Sequence, residues 1–244
     1  MLSLENLIHE AEMAHGHLCA GQILGVRLAL LGLAKLGIDD PRGKDRKRLV
    51  TFVEIDRCAT DAIGVVTGCR LGKRALKFRD WGKMAATFVD LASPAESGQP
   101  SVGVAQCLSA VITDPLPATA LAAEGRSTGV PLKPAVGLSS ANHSYKAIRV
   151  AAKESSKQLA RELHPEIENK NQQQMLAYRE LSDNDLFTTE WVKVELLPEE
   201  FPGYKSDRIS CAQCGEGINF HRQVLRDGKI LCRSCAGDKY YKTL

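Results

Sequence analysis

Residues 48–69 read RLVTFVEIDRCATDAIGVVTGC, and the fold class follows from this stretch. Residues 48–56 are rich in apolar and β-branched side chains, which predicts a strand. Residues 58–69 carry small and apolar side chains that favour a helix packed behind that strand. A strand followed at once by a covering helix indicates a domain in which helices pack on a sheet.

Two helices are predicted before this unit. Leu4, Leu7, Ile8 and Ala11 have helical spacing, and Ser3 is a suitable N-cap for that helix. After the segment HGHLCAG, a second helix is expected from about Ala20 to Leu36. It is nearly apolar all round, so we expect it to be buried.

The segments after residue 69 complete an α+β core domain, with helices packed on a small, mostly antiparallel sheet. The predicted strand 145–154 would pair with the predicted strand 84–91 if the residues between them were removed. WGK at 81–83 is expected to form a tight connection. The predicted strands are 75–80, 84–91, 145–154 and 188–197, and the predicted helices are 155–163 and 165–181.

Residues 92–145 differ in composition from the rest of the core. They hold six of the ten prolines, eight serines and five charged residues. So long a span without a period is typical of an insertion, which we predict to be irregular. It contains Cys107 and His143, which we interpret as incidental. The predicted boundaries are a core domain at 1–198, a linker at 199–207 and a zinc ribbon at 208–244.

The C-terminal cysteines form two Cys-x-x-Cys pairs separated by seventeen residues, the spacing of a structural zinc site. A hairpin with an Asp227–Gly228 turn would carry the second pair back to the first. His221 is interpreted as a surface residue of that hairpin. Because so short a segment cannot fold on an apolar core, zinc is expected to supply its folding free energy. The predicted ligands are Cys211, Cys214, Cys232 and Cys235.

A second group of metal-binding residue types lies near the N-terminus. An H-x-H-x-C run stands at the predicted start of a helix, and two more cysteines flank the helix of residues 58–69. On spacing alone two interpretations stay open: a metal or thiol site, or buried small cysteines and capping or core histidines. The residues concerned are His15, His17, Cys19, Cys58 and Cys69.

Several motifs resemble the family named after the E subunit of formylmethanofuran dehydrogenase, in its longer form with a C-terminal four-cysteine zinc finger. The resemblance covers nearly the whole chain except 92–145. Ala20 stands where that family usually has proline, and Arg70 where threonine is common. The motifs are HGHLCAG, DRCATDAIGVVTGCRLGK, KFRDWGKMAATFVDL, AIRVAAKESSKQLA, EIENKNQQQMLAY, WVKVEL and CAQCGEG with DGKILCRSCAG.

The resemblance implies a metal-binding pocket, with zinc the expected metal, built from the five N-terminal residues named above. It implies an accessory protein or uncharacterised enzyme of one-carbon or molybdopterin-linked redox metabolism, related to methanogenesis. Whether the chain is an enzyme stays open. Cys69 and Asp61 are the catalytic candidates, and Lys73 is a further polar candidate. No residues for an organic cofactor are predicted.

Two alternatives remain. The C-terminal ribbon resembles the zinc fingers of RNA-polymerase-binding regulators of the DksA/TraR type, although those regulators need a long coiled-coil hairpin. The second alternative is a scaffold or electron-transfer partner whose metals are purely structural.

The expected partners are a second copy of the chain or a partner subunit, together with a small-molecule substrate. Nucleic acid is disfavoured by 32 basic against 29 acidic residues and by 5% aromatics. The acidic N-terminal residues and the short apolar stretch of 18–34 disfavour secretion and membrane insertion, so we expect a cytoplasmic protein.

Overall fold

The computed structural model describes residues 3–94 and 143–242. They fall into two compact units. The core unit comprises residues 3–94 and 143–205, and the C-terminal unit comprises residues 206–242.

The helices of the core unit begin and end at clear local signals. Ser3 caps α1, because its hydroxyl accepts the N–H of Asn6 at 3.3 Å. The second helix has the predicted bounds and ends where Gly37 takes a left-handed conformation with φ of 65°. The helices are α1 Leu4–His15, α2 Ala20–Leu36, α3 Cys58–Thr67, α4 Ser156–Leu163, α5 Lys170–Glu180 and α6 Asp183–Leu186.

Five strands form one mixed sheet in the order β2-β1-β3-β4-β5. β2 runs parallel to β1, and every other neighbouring pair is antiparallel. The predicted α+β class is therefore confirmed, as is the pairing of the two strands that flank the insertion. The strands are β1 Leu49–Val53, β2 Leu76–Phe78, β3 Ala85–Pro94, β4 His143–Ala152 and β5 Phe187–Leu196.

Several predicted boundaries need correction. WGK connects two strands that are not neighbours, because β1 lies between β2 and β3. α5 begins at Lys170 rather than at Pro165, because the Asn169 side chain accepts the N–H groups of the next turn and fixes the start there. β3 continues to Pro94 and β4 begins at His143, so both ends of the predicted insertion are strand. The rest of the insertion, Cys107 included, lies outside the described residues.

The main apolar cluster of the core unit joins the helices to the sheet. Phe88 of β3 and Ile148 of β4 pack with Ile23 and Leu28 of α2, and all four side chains are buried. α2 approaches α3 closely, because a Cβ added at Gly25 would lie 2.6 Å from the Ala59 carbonyl oxygen. This close approach brings the starts of α2 and α3 together.

The segment after β5 packs in a second, smaller apolar cluster. It begins with a one-turn 3-10 helix at Pro198–Glu200. The ring of Phe201 lies edge-on to Tyr145 with centroids 5.8 Å apart, and Glu200 pairs with Arg79 at 2.8 Å. The core unit thus extends to Lys205, past the predicted limit of 198 and into the predicted linker 199–207.

The C-terminal unit consists of two short hairpins around a very small cluster of Cys211, Ile218 and Leu231. The predicted Asp227–Gly228 turn is confirmed, with left-handed φ values of 51° and 71°. The strands are β6 Ile209–Ser210, β7 Gly217–Ile218, β8 Val224–Arg226 and β9 Lys229–Leu231.

Within the described residues, none of the helices combines the length and apolar character needed to span a membrane.

Candidate functional site

The C-terminal unit brings its four predicted cysteines to one point. Their sulfur atoms all lie within 4.8 Å of one another. In the part of the chain that the structure describes, no other group of three or more His, Cys, Asp or Glu side chains is so compact. Four thiols in this arrangement suit a structural zinc ion.

Backbone N–H groups already point at these sulfur atoms. The N–H of Cys232 donates to Cys211 Sγ at 3.2 Å, and that of Cys235 donates to Cys232 Sγ at 3.3 Å. The N–H groups of Cys214 and Cys232 lower the pKa of Cys211 to about 6. The hydrogen bond with Cys232 and burial raise the pKa of Cys235 to about 12. Without metal the four thiols therefore differ in how readily they ionise. Cys211, whose pKa lies below neutral pH, ionises more readily than Cys235.

The core unit gathers a second group of potential ligands where three helices meet. We refer to it as the His/Cys cluster. Its members come from the end of α1, the connection to α2 and the first turn of α3. They are His15, His17, Cys19, Cys58 and Asp61.

The imidazole of His15 is held by a carboxylate. Its Nδ1 lies 2.8 Å from Asp61 Oδ2, and the two side chains are 20% and 59% exposed. The contact leaves Nε2 of His15 available to another partner. The ring of His17 lies beside it, with centroids 4.8 Å apart. A carboxylate on one nitrogen is the usual means of orienting a histidine whose other nitrogen binds a metal.

The two half-buried cysteines of the cluster face each other across the start of α2. A Cβ added at Gly21 would lie 3.5 Å from Cys58 Cβ and 3.7 Å from Cys19 Sγ. Burial raises the pKa of the Cys58 thiol, and the hydrogen bond with Cys19 raises it further. Both cysteines therefore lie next to the backbone of Gly21, at ordinary van der Waals distance from the position of its missing Cβ.

Two amide side chains that sequence analysis did not single out hold this segment in place. Gln22 is fully buried; its Nε2 donates to the Ala11 carbonyl at 2.9 Å, and its Oε1 accepts the Cys19 N–H at 3.2 Å. Asn171 of α5 accepts the Ala20 N–H at 3.1 Å. Gln22 could have been noticed, because a glutamine inside an apolar helix must find hydrogen-bond partners. No comparable signal in the sequence pointed to Asn171.

Cys69 stands apart from the cluster. It follows the left-handed Gly68 at the far end of α3, and this ten-residue helix separates it from Cys58 by about 15 Å. It is 2% exposed, and Thr51 Oγ1 donates to its sulfur at 3.5 Å. Burial raises the pKa of its thiol. Of the five ligands that the resemblance implied, the structure pairs Cys19 with Cys58 and His15 with His17, and it places Cys69 in the apolar core.

Fold and sites together define an α+β domain followed by a four-cysteine finger, and comparison with protein families agrees. Residues 14–106 match the family described as FmdE, Molybdenum formylmethanofuran dehydrogenase operon. Residues 203–241 match the prokaryotic dksA/traR C4-type zinc finger. The chain therefore carries an FmdE family domain and a C-terminal C4 zinc finger.

Two known proteins extend the comparison. A probable S-adenosyl-L-methionine-binding protein of Archaeoglobus fulgidus is 38% identical over 87 residues, which cover 35% of this chain and 24% of that protein. The match thus spans about a quarter of the relative's length. A tungsten formylmethanofuran dehydrogenase FmdE-like protein from Syntrophus aciditrophicus superposes with a TM-score of 0.53 at 17% identity. That superposition covers 99% of this chain and 96% of the other, and it shows a shared fold.

Proposed function

We propose that the chain is a protein with two metal sites: a structural zinc in the finger and a second metal, expected to be zinc, at the His/Cys cluster. The observation that carries the proposal is that the first turn of α3 supplies both Cys58, which meets Cys19, and Asp61, which holds His15. Proposed ligands are the two thiolates and the imidazoles of His15 and His17. Asp61 is proposed to orient His15.

The residue types fit the metal. Thiolate and imidazole are the donors that zinc prefers, and a carboxylate behind a histidine ligand raises its basicity. The cluster is also partly open to solvent, since His17 and Asp61 are exposed. When bound at a site with one free coordination position, zinc could polarise a carbonyl group or activate water.

An accessory or enzymatic role in one-carbon or molybdopterin-linked redox metabolism is the finer part of the proposal. It is supported by the FmdE family domain and by the fold shared with an FmdE-like protein. Association with a second copy or a partner subunit belongs to the same proposal. Large apolar side chains at the surface of the core unit support it, notably Trp81 at 62% and Trp191 at 49% exposure.

Regulation of RNA polymerase is the second candidate, because the finger matches the dksA/traR family. Such regulators need a long coiled-coil hairpin. Among the described helices the longest is α2, with 17 residues, and it is buried in the core unit. The zinc finger is therefore weaker support for a regulator of RNA polymerase than the His/Cys cluster is for a metal site in the core unit.

Cobalt substitution tests the proposal in the full chain. Cobalt in the finger sees four thiolates, whereas cobalt in the cluster would see two thiolates and imidazole nitrogens, so two sets of absorption bands are expected. Cys58→Ser should remove only the mixed-ligand set. Cys69→Ser is the matched control and should retain both sets, because Cys69 lies at the other end of α3. An unchanged spectrum in Cys58→Ser would show that the cluster binds no metal.

A further inference from the structure

A large cavity in the core unit lies apart from the His/Cys cluster. Its volume is about 1200 Å³, and none of the cluster residues lines it. Its walls come from α1, from the loop between α2 and β1, from α3 and the turn that follows it, from β3, and from residues 201–203. A volume of this size exceeds the range of about 300–1,000 Å³ that is usual for small-molecule sites.

The wall of this cavity concentrates positive charge. Among the described residues that line it, one carboxylate is present, that of Glu10, and it is ion-paired with Arg42. The other four cations form no ion pair within the described residues. This excess of cations contrasts with a net charge of +3 for the whole chain. The cationic residues of the wall are Arg42, Arg46, Lys47, Arg70 and Lys73.

The two groups of cations come from different segments. Arg46 and Lys47 belong to the loop before β1, and Arg70 and Lys73 belong to the turn after α3. All four are exposed and line the same cavity. Cations supplied by two segments suit a ligand with more than one negative charge, since each segment can neutralise part of it.

Apart from His9, the rest of the described wall consists of apolar residues and glycines. Val65 and Ala75 are each 6% exposed, and Leu91 and Met13 extend the apolar surface. A purely inorganic anion would leave this surface wet. A ligand that combines an anionic group with a broad apolar or aromatic part would cover it and bury apolar area.

We propose that this cavity binds a nucleoside polyphosphate moiety, either as a free nucleotide or as part of a larger cofactor such as coenzyme A. The phosphates contact the Arg and Lys side chains of the two segments, and the nucleoside covers the apolar wall. S-adenosyl-L-methionine fits this cavity poorly, because its sulfonium and amino groups are positive. The inference does not depend on metal binding at the His/Cys cluster.

Binding of a fluorescent methylanthraniloyl-ATP to the full chain, followed by competition, tests the proposal. ATP or coenzyme A should displace the probe at least tenfold more effectively than inorganic triphosphate. Whichever of the two competes better identifies the source of the moiety. Triphosphate competing as well as ATP would overturn the proposal, as would displacement by S-adenosyl-L-methionine alone or a failure of the probe to bind.

A matched pair of charge reversals locates the site. Lys47→Glu should weaken binding of the probe by about tenfold, the effect of losing one charge-assisted contact. Lys44→Glu changes an exposed lysine of the same loop that does not line the cavity, and should weaken binding by less than about threefold. Lys73→Glu provides a second reversal on the other segment, again with about tenfold expected. Equal effects of Lys44→Glu and Lys47→Glu would contradict the assignment.

Discussion

Cysteines play opposite structural parts in the two units. In the C-terminal unit they make up much of the interior, since the only buried apolar partners of Cys211 are Ile218 and Leu231 in the described part of that unit. In the core unit Cys19 and Cys58 lie at the margin of an extensive apolar cluster that contains Phe88 and Leu28. Metal binding and folding are therefore expected to be one event in the finger, whereas the proposed site of the core unit would take up metal after that unit has folded.

The arrangement of donor atoms supports the same contrast. The four sulfur atoms of the finger already lie within 4.8 Å of one another. The His/Cys cluster is looser, and its side chains would have to move closer around an ion. A site that is not needed for folding can remain open to solvent and substrate, and such a site is the better candidate for chemistry.

Removing one zinc ligand of the finger should have the largest effect on the contrast between the two units. Cys232→Ser should cost most of the finger's apparent zinc-binding free energy, which is about 10–16 kcal/mol for such sites. Residues after about 208 should then become sensitive to protease. Both tryptophans, Trp81 and Trp191, lie in the core unit, so tryptophan fluorescence reports that unit alone. An unchanged fluorescence melting curve is expected; a large drop in the melting temperature would show that the core unit depends on the finger.

A packing change in the core unit should have the next largest effect. Gly25→Ala would bring a Cβ to 2.6 Å from the Ala59 carbonyl oxygen and 2.7 Å from its Cα, so α3 must move. We expect a loss of about 1–3 kcal/mol in the free energy of unfolding. Gly21→Ala, on the same helix, meets its nearest neighbour at an ordinary 3.5 Å and should be close to neutral. Urea unfolding followed by tryptophan fluorescence compares the two; equal stabilities would mean that α2 and α3 are less tightly packed than described.

Within the core unit, Cys69 is a packing cysteine, whereas Cys19 and Cys58 are proposed metal ligands. A substitution at Cys69 tests this difference. Cys69→Ser replaces a buried thiol by a more strongly polar hydroxyl, which should cost about 1–3 kcal/mol of stability. Metal content should not change, because the sulfur contacts Thr51 and lies far from Cys58. Unfolding in urea and metal analysis of the same preparation give both values. Loss of a metal ion from this variant would show that Cys69 is a ligand of the core metal site after all.

Much of this organisation was predictable. Helix α2 matched its predicted bounds because a long apolar run ends at Gly37, a residue that readily adopts the left-handed conformation of a helix end. The Asp227–Gly228 turn was also predictable, because these two residue types favour the left-handed conformations of a tight hairpin turn. The partner of β2 was not predictable. Three residues carry no pattern that distinguishes a parallel neighbour from an antiparallel one.

For the candidate site, residue identity was easier to predict than residue position. The H-x-H-x-C run and Cys58 were found from the sequence, and helix length alone already kept Cys69 some distance from Cys58. Neither spacing nor resemblance indicated that Asn171 would reach the start of α2. A contact across 151 residues depends on the tertiary packing of α5, which local patterns do not encode.

The ion pair between Arg48 and Asp90 belongs to neither site, and removing it should have the smallest effect on stability. Although burial alone would raise it, the pKa of Asp90 is lowered on balance by hydrogen bonds from Arg48, the Ala92 N–H and the Ser93 hydroxyl. A lowered carboxyl pKa stabilises the fold above the unfolded-state pKa of about 3.9, and this contribution is lost as the pH falls through the folded-state value.

Asp90→Asn should therefore destabilise the core unit by about 1–2 kcal/mol at pH 7 and by less at pH 3. Tryptophan fluorescence again restricts the measurement to the core unit, whatever happens to the finger in acid. A difference between variant and natural protein that grows as the pH falls would contradict the assigned ion pair.

Metal content per chain tests most directly whether the chain holds two independent metal sites, as we propose. Zinc should be measured by plasma mass spectrometry in the natural chain, in Cys232→Ser and in the double variant Cys19→Ser/Cys58→Ser, all purified without chelator. About two, one and one zinc ions per chain are expected, with the melting temperature of the core unit preserved in the double variant. A single zinc in the natural chain that is retained by the double variant and lost by Cys232→Ser would contradict the proposal.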